Sequence, residues 1–299
     1  MSFETWLEGL RQDALAKGIS AATLDSALLG IKPIPKVIEL DRKQPEFTLT
    51  FDQYMDKVVP DARIQKGQAR YDENRDLLRD IAAKYGVQPR FIVAFWGIES
   101  DFGRTLGTFD VVPALATLAY DGRRSKFFRD ELMHALTIID QGHVTADNMK
   151  GSWAGAMGQV QFIPSSFVRF AVDYDGDGRK DIWGSVNDAL ASAANYLSRS
   201  GWKGDETWGR AVRLPQGFDQ SLQGADNARP LDAWQALGVR SADGSDLPDR
   251  PLKAMLILPA NAPAPAFLGY DNYQTILKWN RSHFFALAVG RLAEGIGER

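Results

Sequence analysis

One acid in this sequence stands out for its setting. Glu99 lies in the run Phe95-Trp96-Gly97-Ile98-Glu99-Ser100-Asp101-Phe102-Gly103, directly after Phe91-Ile92-Val93-Ala94, so that a helix opened by Pro89 is apolar on every face before it reaches the acid. Such a helix has to be buried. Removal from water disfavours a charged carboxylate, and the negative end of the helix dipole acts the same way, so the setting favours a protonated Glu99. A protonated Glu is what donation to a leaving glycosidic oxygen needs. The residues alone leave a second reading open, in which Glu99 pairs with a buried Arg and locks the fold. Glycoside hydrolysis normally takes two carboxylates. Asp101 is poorly placed as the second, because positions two apart on a helix point away from each other. A one-carboxylate mechanism, with the nucleophile supplied by the sugar itself, is therefore also in play.

A second segment, Ser152-Trp153-Ala154-Gly155-Ala156-Met157-Gly158-Gln159-Val160-Gln161-Phe162-Ile163-Pro164-Ser165-Ser166, is rich in small residues that let backbone approach a ligand. Gln161 offers a donor and an acceptor, and Phe162 a flat apolar face, a mixture that suits a sugar. The alternative is an ordinary turn ahead of a helix starting near Pro164. A third segment, Asp173-Tyr174-Asp175-Gly176-Asp177-Gly178-Arg179-Lys180-Asp181, places acids at positions 1, 3, 5 and 9 and glycine at 6 of an EF-hand-like calcium loop. Position 12 is Gly184 where a Glu is expected, so a closing ligand has to come from Asn187 or Asp188 in a lengthened loop. A self-capped, Asp-rich turn is the competing reading.

The remaining constellations are thin. His134, His143 and His283 lack metal-ligand spacing. Nucleotide-binding glycine loops and a Gly-x-Ser-x-Gly elbow are missing. Arg123-Arg124 reads as a solvated pair or a holder of an anionic group. Tyr270-Asp271-Asn272-Tyr273 and Trp279-Asn280 could line a groove or simply pack.

These residues sit in a chain of 299 residues with a net charge of -3, 44% hydrophobic and 24% charged residues and no cysteine. That is ample for a core, argues against nucleic acid as a partner, and removes disulfides, thiolate metal sites and a cysteine nucleophile together. No stretch is apolar for long enough to span a membrane, and the first residues carry no export signal. Helical periodicity covers Trp6 to Ala14, a segment capped by Ser20, Ala69 to Tyr85 with Gly86 as its stop, Phe109 to Tyr120, Ser125 to Asp140, Pro164 to Val172 and Val186 to Ser200. Phe284, Leu287, Ala288 and Leu292 mark a last helix. From Lys36 to Pro60 the pattern is mixed, and Phe47, Leu49 and Phe51 alternate as a short strand would, or anchor a loop. Glu206 to Ala260 reads as a small β-containing insertion, with Met255-Leu256-Ile257-Leu258 as a strand.

Taken together, the Trp96–Gly103, Gly155–Ser166 and Asp173–Trp183 segments and Asn195-Tyr196-Leu197 resemble the lytic murein transglycosylase B family, in the same order from about Phe51 to Ala288. The resemblance implies a mainly α fold with a small β part: a lysozyme-like core over 76–203, an N-terminal helical domain over 1–75, a β insertion over 204–266 and a return segment over 267–299. It implies cleavage of the β-1,4 bond between N-acetylmuramic acid and N-acetylglucosamine in peptidoglycan, leaving 1,6-anhydromuramoyl ends, with Glu99 as the single acid and base. By the same resemblance Ser152 orients Glu99, while Gln161, Phe162, Tyr196, Asn272 and Trp279 contact saccharide. Arg123 and Arg124 face the peptide stem. A structural calcium is held by Asp173, Asp175, Asp177, the Arg179 carbonyl and Asp188, with no organic cofactor. The implied setting is the bacterial periplasm, reached from a precursor whose signal is absent from this chain. The implied protein is a monomer acting on glycan strands, with other cell-wall enzymes as candidate partners. Two further readings stay open: a muramidase that uses water and a second Asp, and a silent peptidoglycan-binding protein.

Overall fold

The structure is a computed structural model that describes residues 1–43, 49–260 and 264–298. In chain order the helices are α1 (Phe3–Ala16), α2 (Ala21–Leu28), α3 (Pro35–Lys43), α4 (Phe51–Val58), α5 (Asp61–Glu73), α6 (Arg75–Tyr85), α7 (Pro89–Ser100), α8 (Val111–Asp121), α9 (Ser125–Asp140), α10 (Pro164–Phe170), α11 (Val186–Arg199), α12 (Leu231–Ala236), α13 (Asp271–Trp279) and α14 (His283–Ile296). The strands are β1 (Phe109–Asp110), β2 (Lys150–Gly151), β3 (Gly209–Arg213), β4 (Arg229–Pro230), β5 (Arg240–Ser241), β6 (Lys253–Ile257) and β7 (Ala266–Gly269). The fold is mainly α with a small β part, as the sequence predicts.

Two compact units divide the chain, Met1–Thr48 with Phe95–Tyr196 and Leu49–Ala94 with Leu197–Arg299. The division falls elsewhere than boundaries after 75, 203 and 266. Residues 1–48 group with the segment that carries Glu99, and 49–94 with the C-terminal part, because packing follows proximity in space and not order in sequence.

In the first unit, α8 and α9 supply the greasy centre through Val111, Leu115, Leu118, Phe128, Leu132 and Leu136, all nearly inaccessible. Helix α2 starts at the cap Ser20, whose hydroxyl accepts the Thr23 N–H at 3.2 Å. That same hydroxyl donates to Asp140 at the end of α9 at 2.6 Å, and the Thr23 hydroxyl does so at 2.7 Å. A charge-assisted cluster thus fixes one helix start on another helix end. Strands β1 and β2 pair antiparallel, with Phe109 opposite Gly151.

In the second unit, one antiparallel sheet has the order β4-β6-β7-β3-β5. Val212, Leu231, Trp234, Leu256 and Leu268 pack as its core, and the Trp234 indole N–H donates to the Ala254 carbonyl at 2.9 Å. The strands of this sheet, β3 to β7, run from Gly209 to Gly269. The mixed stretch before Pro60 resolves differently. Phe51 opens α4 behind a reciprocal capping box between Thr50 and Gln53, so Leu49 and Phe51 do not belong to a strand. Phe47 lies outside the described residues. The helical run expected from Ala69 breaks at Asn74 into α5 and α6, and α6 stops at Gly86 with φ +69°, as the glycine predicts.

Candidate active site

Helix α7 is built as its composition demands: Phe91, Ile92, Val93, Ala94 and Phe95 are inaccessible, and Trp96 is 3% exposed. Glu99 lies on its last turn and is half-buried. The chain then leaves the helix through three consecutive left-handed residues, Asp101 (φ 50°), Phe102 (φ 60°) and Gly103 (φ 80°). For Asp101 and Phe102 this backbone costs about 1–3 kcal/mol each, so the surroundings have to enforce it. They do so from several sides. Phe102 is buried, its ring stands edge-on to Trp96 at 5.7 Å, and its N–H donates to the Trp96 carbonyl at 3.1 Å. The Ser100 hydroxyl accepts the Gly103 N–H at 2.9 Å. Asp101 is paired with Arg104 at 2.6 Å, so the acid nearest to Glu99 in sequence is already neutralised by a cation.

The 152–166 segment forms a tight loop of the same unit. Ser152 Oγ accepts the N–H groups of Ala154 and Ala156 at 3.2 and 3.1 Å, which leaves its own proton to donate. Gln161 takes φ +50°, and its amide donates to the Gly158 and Leu106 carbonyls at 2.9 and 3.3 Å while the residue stays half-exposed. Phe162 departs from expectation. It is 2% exposed, with its ring 5.8 Å from that of Tyr196, so it supports the loop instead of offering a face to a sugar. Tyr196 packs on Phe170 at 4.5 Å, and burial pushes its hydroxyl pKa up.

The arginine pair has a role inside the fold. Arg123 donates from Nε and Nη2 to the two oxygens of Asp41 at 2.7 and 3.1 Å, and Arg124 bonds the same carboxylate. Asp41 is 2% exposed. Both cations thus tie α3 to the start of α9, where a buried acid needs them, while their side chains stay 48% and 42% exposed. In the second unit Asn272 is inaccessible. Its amide accepts the Lys203 N–H at 2.8 Å and donates to the Lys203 and Glu206 carbonyls at 2.8 and 2.9 Å. That saturates it as a backbone staple and corrects its assignment to a groove. Trp279 ends α13, half-buried in the same unit.

The acidic loop converges, but not with the full ligand set. Oxygens of Asp173, Asp175 and Asp188 all lie within 4.8 Å of one another. Asp188 is inaccessible and accepts the N–H groups of Tyr174 and Asp181 at 2.7 and 2.8 Å. Burial, and secondarily the Asp175 charge, push its pKa up, against those hydrogen bonds. An acid raised in this way gains from a cation. Asp177 stands outside the trio and accepts the Arg179 N–H at 2.8 Å. Asp181 turns the loop exit, accepting the N–H groups of Trp183 and Gly184 at 3.0 and 2.8 Å. Three hard oxygen donors in reach of one point fit a divalent cation of the calcium type.

Gln159 is the residue that sequence reasoning passed over. It is 5% exposed and bonded on every side. The available signal was a second glutamine beside Gln161, set among Met157, Val160 and Phe162, since a buried amide has to find partners.

Fold and site together define a lysozyme-like helical protein with one acid at the end of a buried helix. The transglycosylase SLT domain model matches residues 2–294, and the chain belongs to that family, in its lytic transglycosylase B branch. Among relatives, the membrane-bound lytic murein transglycosylase B of Escherichia coli is 34% identical over 250 residues, which are 81% of this chain and 66% of that protein. SltB3 of Pseudomonas aeruginosa, solved in complex with NAG-NAM-pentapeptide, superposes with a TM-score of 0.96 at 48% identity, over 99% of this chain and 80% of that one. Escherichia coli Slt35, solved in complex with calcium, gives a TM-score of 0.83 at 27% identity over 97% and 92% of the two chains.

Proposed function

We propose that this chain cleaves the N-acetylmuramic acid to N-acetylglucosamine β-1,4 bond of peptidoglycan without water. Protonated Glu99 gives its proton to the glycosidic oxygen as the C1–O bond breaks. The resulting carboxylate then takes the proton of the muramic C6 hydroxyl while O6 bonds to C1, closing the 1,6-anhydro ring and restoring the acid. Because the nucleophile belongs to the same sugar, proximity replaces a second carboxylate, and no water is consumed. The observation that carries this reading is a half-buried Glu99 on the last turn of an inaccessible helix, with Asp101 committed to Arg104. Support also comes from SltB3, which is 48% identical and was solved with both NAG-NAM-pentapeptide and NAG-anhNAM-pentapeptide. Ser152 and Gln161 act here as polar contacts at the acid and the saccharide, and Tyr196 as an aromatic wall. In this reading the protein works in the bacterial periplasm, where murein lies.

The trio Asp173, Asp175 and Asp188 holds a structural calcium in this reading, supported by the donor chemistry and by the calcium complex of Slt35. Its part is to fix the loop, and no bond-breaking step passes through it.

Mass spectrometry of purified murein digested by the protein tests the proposal. Fragments one water lighter than reducing-end fragments are expected. Reducing ends alone would make the protein a hydrolytic muramidase, and an undigested substrate would leave a binding protein.

A further inference from the structure

Gln159 joins two segments of the first unit that are far apart in sequence. Toward α7, its Oε1 accepts the Trp96 indole N–H at 2.9 Å, and its carbonyl accepts the Ser100 hydroxyl at 2.6 Å. Toward the segment that leaves the acidic loop, its Nε2 donates to the Trp183 carbonyl at 3.1 Å, and its N–H donates to the Ile182 carbonyl at 2.8 Å. Trp96 and Ser100 bracket Glu99 on the same helical turn. The linkage is closely enclosed: a Cβ on Gly103 would sit 2.5 Å from Gln159 Oε1, and one on Gly158 would sit 2.6 Å from the Ile182 carbonyl.

The last turn of α7 runs directly into left-handed backbone at Asp101 and Phe102 that non-glycine residues adopt only when their surroundings enforce it, so the setting of that turn depends on what it is bonded to. An amide can accept from one neighbour while donating to another, which neither a carboxylate nor an aliphatic side chain can do. We propose that Gln159 is a positioning residue for Glu99, tying the turn that carries the acid to the Ile182–Trp183 segment and so making the placement of Glu99 depend on it. This rests on Glu99 being the proton donor. Misplacing a reacting group by about 1 Å costs on the order of 100-fold in rate, so the bonds need only a small slack to matter.

The test uses the full chain with Gln159→Met, which keeps the bulk and removes both side-chain bonds, and Gln159→Glu, which keeps an acceptor for Trp96 and turns the other oxygen against the Trp183 carbonyl. Trp96→Phe removes the same bond from the opposite side. Expected are a kcat lower by about 10- to 100-fold for Gln159→Met with KM nearly constant, and a loss at least as large for Gln159→Glu, whose second oxygen faces a carbonyl. The pH profile of kcat is expected to move in both. Gln159→Met combined with Trp96→Phe should be no worse than the poorer single variant, because one bond is being removed twice. Carboxyl titration of Glu99 by NMR reads the same placement without turnover and should shift in Gln159→Met. Activity falling only in proportion to folded protein, with an unchanged pH profile and Glu99 titration, would reduce Gln159 to a packing residue and overturn the proposal. So would a kcat within twofold of the parent. A parent protein that releases no anhydro product would instead sink the functional reading, and the titration would still decide the positioning.

Discussion

Arg123 and Asp41 lie 82 positions apart in the chain and form a two-bond fork, Nε to Oδ2 at 2.7 Å and Nη2 to Oδ1 at 3.1 Å, on a carboxylate that is 2% exposed. Burial by itself would raise the Asp41 pKa, but hydrogen bonds and charge from Arg123 and Arg124 outweigh it and hold the group below the ordinary range. A depressed carboxylate contributes stability above its unfolded pKa of about 3.9 and loses it as pH falls through the folded value. Asp41→Asn should therefore lower stability by roughly 1.5–3 kcal/mol at neutral pH, the usual worth of hydrogen bonds to charged groups. Urea titrations of parent and variant should differ by a constant amount from pH 5 to 7, begin to converge below about pH 4, and meet once the pH is under the depressed folded value. A difference that persists undiminished at pH 2 would assign the loss to packing.

Glu99→Gln keeps the shape of the proposed acid and cannot give up a proton as a carboxylic acid does. Its turnover of murein should fall by at least about 100-fold, the lower end of general acid–base contributions, with binding of glycan strands retained. Product release measured alongside a pull-down on insoluble murein separates the two effects. Unchanged turnover would remove Glu99 from the mechanism.

Millimolar calcium should raise the melting temperature of the protein, because an ion bound only by the folded state stabilises it by mass action. Asp173→Asn should abolish most of that rise, since Asp173 belongs to the convergent trio. Asp177→Ala should retain a substantial part of it, since Asp177 stands outside the trio and bonds Arg179 instead. Equal loss in both variants would show that the bound loop recruits Asp177 as well.

His143 accepts the Lys180 N–H through Nδ1 at 3.2 Å and packs on the Phe167 ring at 5.7 Å. Burial, then the Lys180 charge, push its pKa below the ordinary value, against an opposing pull from Asp173. A histidine depressed on folding disfavours the native state once the unfolded chain can protonate, so stability is lost as pH falls through about 6.5. His143→Gln keeps an acceptor and should flatten the melting-temperature profile between pH 7 and pH 5. A profile as steep as that of the parent would place the acid sensitivity elsewhere.

Local rules carried far wherever one segment settled its own structure. The apolar ring of residues before Glu99 required burial, and α7 is buried. Ser20 and Gly86 punctuated helices where cap chemistry says they should, and the span of α9 follows from its periodicity alone. The Thr50–Gln53 capping box was equally present in the sequence, but the alternation of Phe47, Leu49 and Phe51 competed with it, and a three-residue alternation is weak support for a strand.

The site divides along the same line. The sequence by itself determined that an acid sits at the end of an inaccessible helix, that an acidic, glycine-bearing loop follows it, and that the chain resembles one family, because composition and spacing are local properties. Tertiary structure alone decided which polar groups meet. It gave Arg123 and Arg124 to Asp41, buried Phe162 against Tyr196, used up Asn272 on Lys203 and Glu206, left Asp177 out of the acidic trio, and ran Gln159 between Trp96 and Trp183. A buried donor or acceptor is satisfied by whatever the fold brings within about 3 Å, and that neighbour is fixed by packing across the chain and not by position along it.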